Sequence, residues 1–341
     1  MLPGISRIGA TISRQQRRIA DWRMRQRLGL KPLSTPPVTE IPHMDRESFK
    51  RTGYVPLDID PLPYERQGMD YQIEDDLLEL DDPSLEVDIE GVIIWRDAKG
   101  LPATHPVTIA QYGLAALGGY TRTHDRRYLD RAIANAQRLI DVSEPGDDGA
   151  LWFPYYFPHT YYDVTMPVPW WSSMAQGQPL SLFSRLAAMN PHDARWRLHA
   201  DRAFSSFKAW RALGKPWITT MDRDGYLWFE EYAGDVEPLM VVNGHIFALY
   251  GLYDYFKLTG EPDAAVLFDG GATTVLRYFD HFRQPGGVSY YCVRPGYCRR
   301  PEWQNVFYHP VHIQQLRTLA SMTGDSAFAR SADELASDWQ P

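Results

Sequence analysis

This 341-residue chain lacks most features that mark a protein for a membrane, a nucleotide or a nucleic acid. It has no run of about 18 apolar residues, which excludes a spanning helix. No apolar stretch of the kind a secretory signal needs stands near the N-terminus, and none follows Arg17-Arg18, so the cytoplasm is the expected compartment. No glycine-rich phosphate or dinucleotide loop occurs, and no cofactor is expected. Cysteine is scarce. Cys292 and Cys298 make no disulfide framework, and no histidine or aspartate pattern around them suits zinc. They read as free thiols, with a local disulfide as the alternative. Positive charge is outweighed, 35 Lys and Arg against 43 Asp and Glu, net −8. Nucleic acid is therefore not an expected partner, and an anionic ligand must be met by local cations.

Apolar and aromatic residues, by contrast, are plentiful. Hydrophobic residues make up 44% of the chain, enough for a sizeable core, with 11 Trp, 20 Tyr and 14 Phe. Aromatic faces pack cores, and they also stack on the apolar faces of sugar rings.

Three regions follow one another. Residues 1–42 hold a basic amphipathic helix and a Pro-rich linker, 32–42. The helix carries Arg7, Arg14, Arg17, Arg18, Arg23, Arg25, Arg27 and Lys31 against Asp21. It suits either a docking arm for a membrane surface or partner, or a solvated helix packed on its own protein. Residues 43–104 contain short segments, YVPLDI, YQIEDD, LEVDI and GVIIW, broken by Pro, Gly and Asp, which predict a small β region. From His105 to the end, 105–341, helical runs turn at polar corners around Asp125, Asp193, Asp263 and Asp325. Each Asp is expected to cap the helix that follows. Four helical hairpins at a regular period predict a mainly α protein with an (α/α) barrel, or toroid, whose inner helices line a cavity.

The segments between hairpins are dense in aromatic and amide side chains, and a rigid scaffold carries its chemistry in such loops. The stretches PWWSSMAQGQPLSLFSRL (Pro169–Leu186), WFEEY…VVNGHIFALYGLYD (Trp228–Asp254) and FYHPVHIQQL (Phe307–Leu316) resemble the D-glucuronyl C5-epimerase family. HPVTIAQYGLAAL (His105–Leu117) resembles the first helix of that family's α-domain. The resemblance implies an (α/α) barrel of four hairpins, in agreement with the repeat. It also implies an isomerase that inverts C5 of D-glucuronate to L-iduronate inside a heparosan-like polysaccharide. A homodimer is plausible by the same resemblance.

Such chemistry needs a proton carrier on each face of the sugar ring, and cations or donors to stabilise charge beside the carboxylate. The resemblance places the family's Glu-Tyr pair on Glu231 and Tyr232, its C-terminal tyrosine on Tyr308, and its upstream tyrosine and arginine on Tyr291 and Arg294. The adjacent Tyr290 leaves that tyrosine open by one residue. Glu231 and Tyr308 are the expected opposed acid and base. Arg294 is the expected carboxylate clamp, with Arg185 as a second. Gln176, Gln178, Trp171, His309 and Asn243 complete the substrate-binding candidates.

A tyrosine ionises near pH 10 and would need Arg294 or His309 beside it to act as a base. Glu231 would need burial among Trp228, Phe229 and Tyr232 to act as an acid. Glu230 reads as its solvated neighbour. His309 and His312 lie three apart without a third ligand in reach, so no metal is expected. A uronate lyase would share the same inventory, since it also removes the C5 proton. A non-catalytic acidic-glycan binder is the alternative from another class.

Overall fold

Helix starts set the architecture. In this computed structural model Asp125, Asp193 and Asp325 each accept a hydrogen bond from the backbone N–H two residues on, opening an outer helix. The fourth expected cap, Asp263, lies one residue inside its helix: Pro262 takes the first helical position and Glu261 precedes it. Asp263 instead faces the positive helix end and pairs with Lys208 at 2.6 Å.

The described residues are 38, 40–43, 45, 46, 48–59, 78–97, 99–161, 164–294 and 296–339. The predicted basic helix, most of the Pro-rich linker and the YQIEDD segment lie outside them. Four hairpins follow along the chain: α1 (Pro106–Thr123) with α2 (Arg126–Val142), and α3 (Ser173–Met189) with α4 (Ala194–Ser205). The next is α5 (Val242–Thr259) with α6 (Pro262–Arg277), extended by α7 (Phe279–Phe282); the last is α8 (Tyr308–Thr323) with α9 (Ser326–Asp338). The first member of each pair is inner, and α1, α3, α5 and α8 pack side by side in that order. α3 and α5 are buried on nearly every face, whereas α2 and α9 bury one stripe. The expected α/α toroid is the observed one.

Small residues let the inner helices touch. A Cβ on Gly251 would lie 2.2 Å from the Gly177 carbonyl oxygen, and one on Gly177 would lie 2.6 Å from the Ala248 Cα. Glycine at both positions brings α3 and α5 into backbone contact. Because each outer helix returns the chain, the inner helices all run the same way, and their N-termini share one end of the barrel.

Antiparallel two-stranded pairs sit at that end: β1 (Trp95–Arg96) with β2 (Pro102–Ala103), and β3 (Glu144–Pro145) with β4 (Leu151–Trp152). β5 (Thr160–Tyr161) pairs with β6 (Val164–Thr165), and β7 (Thr219–Met221) with β8 (Leu227–Phe229). The region before the barrel, predicted as β, holds two paired elements among its described residues, the β1–β2 pair and a Val87–Ile93 bridge. YVPLDI forms no strand. It runs extended along the barrel, where the Leu57 amide donates to the Met322 carbonyl and Tyr253 Oη to the Leu57 carbonyl. Among the described residues no helix is long and apolar enough to cross a membrane.

Candidate active site

The chain returning to each inner helix crosses the N-terminal end of the barrel, and those crossings join by backbone bonds. Trp171 and Ala233 exchange bonds, the Ser173 amide donates to the Glu230 carbonyl, and the Val242 amide donates to the Tyr291 carbonyl at 3.1 Å. Residues far apart in sequence are thereby fixed around one point.

Glu231 is at that point, one-twelfth exposed. Its Oε1 accepts from Tyr291 Oη at 3.1 Å, and Tyr291 Oη is itself 3.1 Å from Tyr232 Oη. Its Oε2 faces the first turn of α5, where a Cβ on Gly244 would come within 2.2 Å of it. The Asn-Gly sequence at this helix entrance is thus explained by close approach of a carboxyl group. Burial, with the neighbouring Glu230 charge, raises Glu231 to about 8, against the bonds from Tyr291 and Tyr232. Burial also lifts Tyr291 well above the ordinary tyrosine value, and the Glu231 charge adds to it. The Tyr308 ring, half-buried at the start of α8, lies 4.5 Å from the Tyr291 ring. Tyr291 therefore touches both expected proton carriers.

Tyr290 points elsewhere, donating to Gln284 Oε1 at 2.7 Å. Neighbours on an extended segment face opposite ways, and only Tyr291 reaches Glu231.

Tyr232 stacks on His159 at 5.3 Å and lies near Tyr161 and Trp170, so aromatic rings flank Glu231 on this side. Trp170 is core, stacked on Tyr155 at 3.9 Å. Half-buried Trp171 meets Trp152 edge to face. On the other side, Tyr291 stacks on Trp303 and Trp303 meets Tyr297, over which Arg294 and Arg300 lie at 4.9 and 4.6 Å. Among the described residues no carboxylate pairs with half-buried Arg294.

Cys292 and Cys298 are joined, Cα to Cα 5.4 Å, so the free-thiol reading is corrected. The amides of Tyr297 and Cys298 both donate to the Arg294 carbonyl, and that turn folds the two sulfurs together. Arg294 therefore sits on a covalently closed loop three residues after Tyr291.

Several expected ligand contacts have other uses. Gln176 is fully buried; its Nε2 donates to the Leu151 carbonyl and Ser206 Oγ, and its Oε1 accepts from the Phe153 amide. It ties β4 to α3. Arg185 lies near the far end of α3, bonded to Asp254 at 2.8 Å, so the second clamp is away from Glu231. His309 Nδ1 accepts from the Ser289 amide while Nε2 donates to the Leu335 carbonyl. Burial lowers its affinity for a proton, and the neutral ring supplies no charge to Tyr308. Gln178 and Asn243 are buried with side-chain atoms lacking protein partners: Oε1 of the first, both polar atoms of the second. Glu230, expected to be solvated, is fully buried. No group of three or more His, Cys, Asp or Glu that could hold a metal occurs among the described residues.

Residues beyond the expected set are Glu230, His159, Tyr161, Trp303, Tyr297 and Arg300. A signal for Glu230 was present: it directly follows the apolar run LWF, whose three residues are all buried.

Fold and site together define a class: an α/α toroid with aromatic side chains gathered around a buried carboxyl–tyrosine cluster. The sequence profile of the D-glucuronyl C5-epimerase C-terminus matches residues 146–337, and the chain belongs to that family. A D-glucuronyl C5-epimerase of Caenorhabditis elegans is 26% identical over 182 residues, 50% of this chain and 29% of that protein. An uncharacterised protein of Methanocaldococcus jannaschii is 27% identical over 213 residues, 60% of this chain and 65% of that one. The chain thus spans less than two thirds of either relative. Two solved structures share the fold at a TM-score of 0.50. The cellobiose 2-epimerase of Bacillus thermoamylovorans B4167 is 14% identical, covering 74% of this chain and 65% of its own. The GH76A α-1,6-mannanase of Salegentibacter sp. HEL1_6 is 13% identical, covering 81% and 69%.

Proposed function

We propose that this protein is a carbohydrate epimerase that inverts C5 of D-glucuronate units within a heparosan-like polymer. The observation that carries the reading is the buried Glu231 carboxyl bonded to Tyr291, which also touches Tyr308. A C5 hydrogen lies α to a carboxylate, so its removal leaves enolate-like charge that needs a cation close by. Arg294, held on its closed loop with no carboxylate partner among the described residues, is the group for that charge. One of Glu231 and Tyr308 takes the proton from one ring face, and the other returns a proton to the opposite face. Raised toward neutrality by burial, Glu231 holds a proton that it can give. The half-buried rings of Tyr232, His159 and Trp171 offer faces for the sugars on either side.

The test is incubation with heparosan in heavy water, followed by proton NMR. Deuterium at C5 with new iduronate signals is the expected result. A rise in unsaturated-uronate absorbance with chain shortening would make the protein a lyase. Binding without exchange would make it a binder.

A further inference from the structure

We propose that Glu230 is a positioning residue: its carboxylate holds the turn between β8 and α5 against the Tyr291 strand, and so holds Tyr232 and Tyr291 around Glu231. The inference rests on the epimerase reading for its catalytic consequence alone; the structural part stands without it. Glu230 Oε1 accepts from the Tyr232 amide at 3.1 Å and Oε2 from the Met240 amide at 2.9 Å. One buried side chain thus closes the segment from 232 to 240 into a loop. Met240 has φ +58°, a left-handed conformation that a residue with a side chain adopts only when its surroundings hold it there. The carbonyl of Met240 accepts from the Val293 amide at 3.1 Å, and two residues on Val242 donates to Tyr291. The bond from Glu230 to Met240 therefore fixes the strand that carries Tyr291 as well as the turn that carries Tyr232.

Its charge bears on the same site. Burial lifts Glu230 to about 7, while the two amides and Arg211 favour its ionised form. Arg211 is itself buried, bonded to the Val236 carbonyl and to Glu237. The other groups packed around the pair are Tyr232, Tyr155 and Tyr291, the last two held protonated by burial, and His245 of α5, which is neutral with both nitrogens bonded. Glu230 accepts two backbone amides with the Arg211 charge nearby, whereas Glu231 is held by the hydroxyls of Tyr291 and Tyr232 with no cation acting on it among the described residues, so Glu230 ionises first. The charge it then carries opposes ionisation of Glu231 and keeps the proton on the acid.

The experiment pairs Glu230→Gln with Glu230→Asp. Glutamine keeps one acceptor and turns the other into a donor that cannot receive an amide. In Glu230→Gln, amide hydrogen exchange at Tyr232 and Met240 should rise about ten- to a hundredfold, the equivalent of a charge-assisted bond. With heparosan, kcat should fall about tenfold or more while KM stays within about twofold, since the groups are misplaced rather than removed. The alkaline limb of kcat should move down by about half a pH unit or more, because Glu231 loses the neighbouring charge. Glu230→Asp keeps the charge and shortens the reach: exchange should rise at one or both amides while the limb stays in place. Should the glutamine variant not fold, the aspartate variant decides. Unchanged exchange at both amides in a folded variant overturns the proposal, as does a glutamine variant whose pH limb does not move. Exchange needs no substrate, so a wild-type protein inert on heparosan would sink the epimerase reading and leave this inference to be judged by the amides.

Discussion

The two ends of the inner helices hold similar residues and treat them oppositely. At the far end, Arg185 meets Asp254, which also accepts from Ser181 Oγ; Lys257 pairs with Asp58; and Tyr253 donates to the arm at Leu57. Charge there is matched, and the 48–59 arm runs alongside. At the N-terminal end, Glu231 is buried beside tyrosines, and among the described residues no cation pairs with it and no carboxylate pairs with Arg294. The same side-chain types hold the barrel together where they are paired and are available for chemistry where they are not. Residue type does not separate the ends; pairing does.

The sharpest way to break that contrast is to remove the two proposed proton carriers. Glu231→Gln and Tyr308→Phe are each expected to lower deuterium exchange at C5 by about a hundredfold or more, with melting temperatures near wild type. Full turnover in either variant would take that residue out of the mechanism. Gly244→Ala should come next. Its methyl would collide with Glu231 Oε2, so about a tenfold or greater loss of turnover is expected, with destabilisation of about 1–3 kcal/mol. An active, fully stable alanine variant would show that the carboxyl has room to move.

The two arginines sharpen the comparison directly. Arg294→Ala should raise KM about tenfold or more and leave stability within about 0.5 kcal/mol, since no carboxylate is abandoned. Arg185→Ala should do the reverse. It strands a buried Asp254, so a loss of about 3–5 kcal/mol in urea unfolding is expected, with KM unchanged. Equal effects of the two on KM would erase the distinction between the ends.

The architecture was legible because helix caps and hairpin periodicity are local signals. Asp125, Asp193 and Asp325 cap as the sequence indicates; Asp263 does not, because a proline beside it moves the helix start. That Glu231, Tyr232, Tyr291 and Tyr308 lie together was indicated by motifs, and only the direction of the extended segment separates Tyr291 from Tyr290. Pairing was not legible. Arg185 and Asp254 are 69 positions apart, and His309 meets the Leu335 carbonyl across 26. Such contacts depend on helix packing, which no short motif encodes. Glu230 was misread for the same reason: its partners are backbone amides, and side-chain chemistry alone suggests solvent for a glutamate.

Proton affinity gives a smaller, continuous test. Glu230 and Glu231 hold their protons up to about 7 and about 8 in the fold, against about 4.3 for an unfolded glutamate. A raised carboxyl favours the folded state fully below the unfolded value, and that contribution is lost as pH climbs through the folded one. His245 acts oppositely: lowered to about 4, it adds stability that is full above about 6.5 and lost toward acid. Stability should therefore decline on the alkaline side because of the carboxyl pair. The melting-temperature difference between Glu231→Gln and wild type should shift in the variant's favour from about pH 6 to about pH 9. A constant difference would mean that Glu231 ionises freely.

The smallest expected effect belongs to Tyr290, and it separates two adjacent tyrosines within one strand. Tyr290→Phe removes the hydrogen bond to Gln284, on the side away from Glu231, and should cost about 1 kcal/mol in unfolding with turnover on heparosan unchanged. Tyr291→Phe removes one of the two tyrosine donors to Glu231, so its effect belongs in turnover and in the pH profile. Losing that donor raises Glu231 further, because the bond had favoured the charged form, and the alkaline limb should then move up. A loss of turnover in Tyr290→Phe as large as in Tyr291→Phe would place the reacting sugar on the wrong face of the strand and reopen the choice between the two.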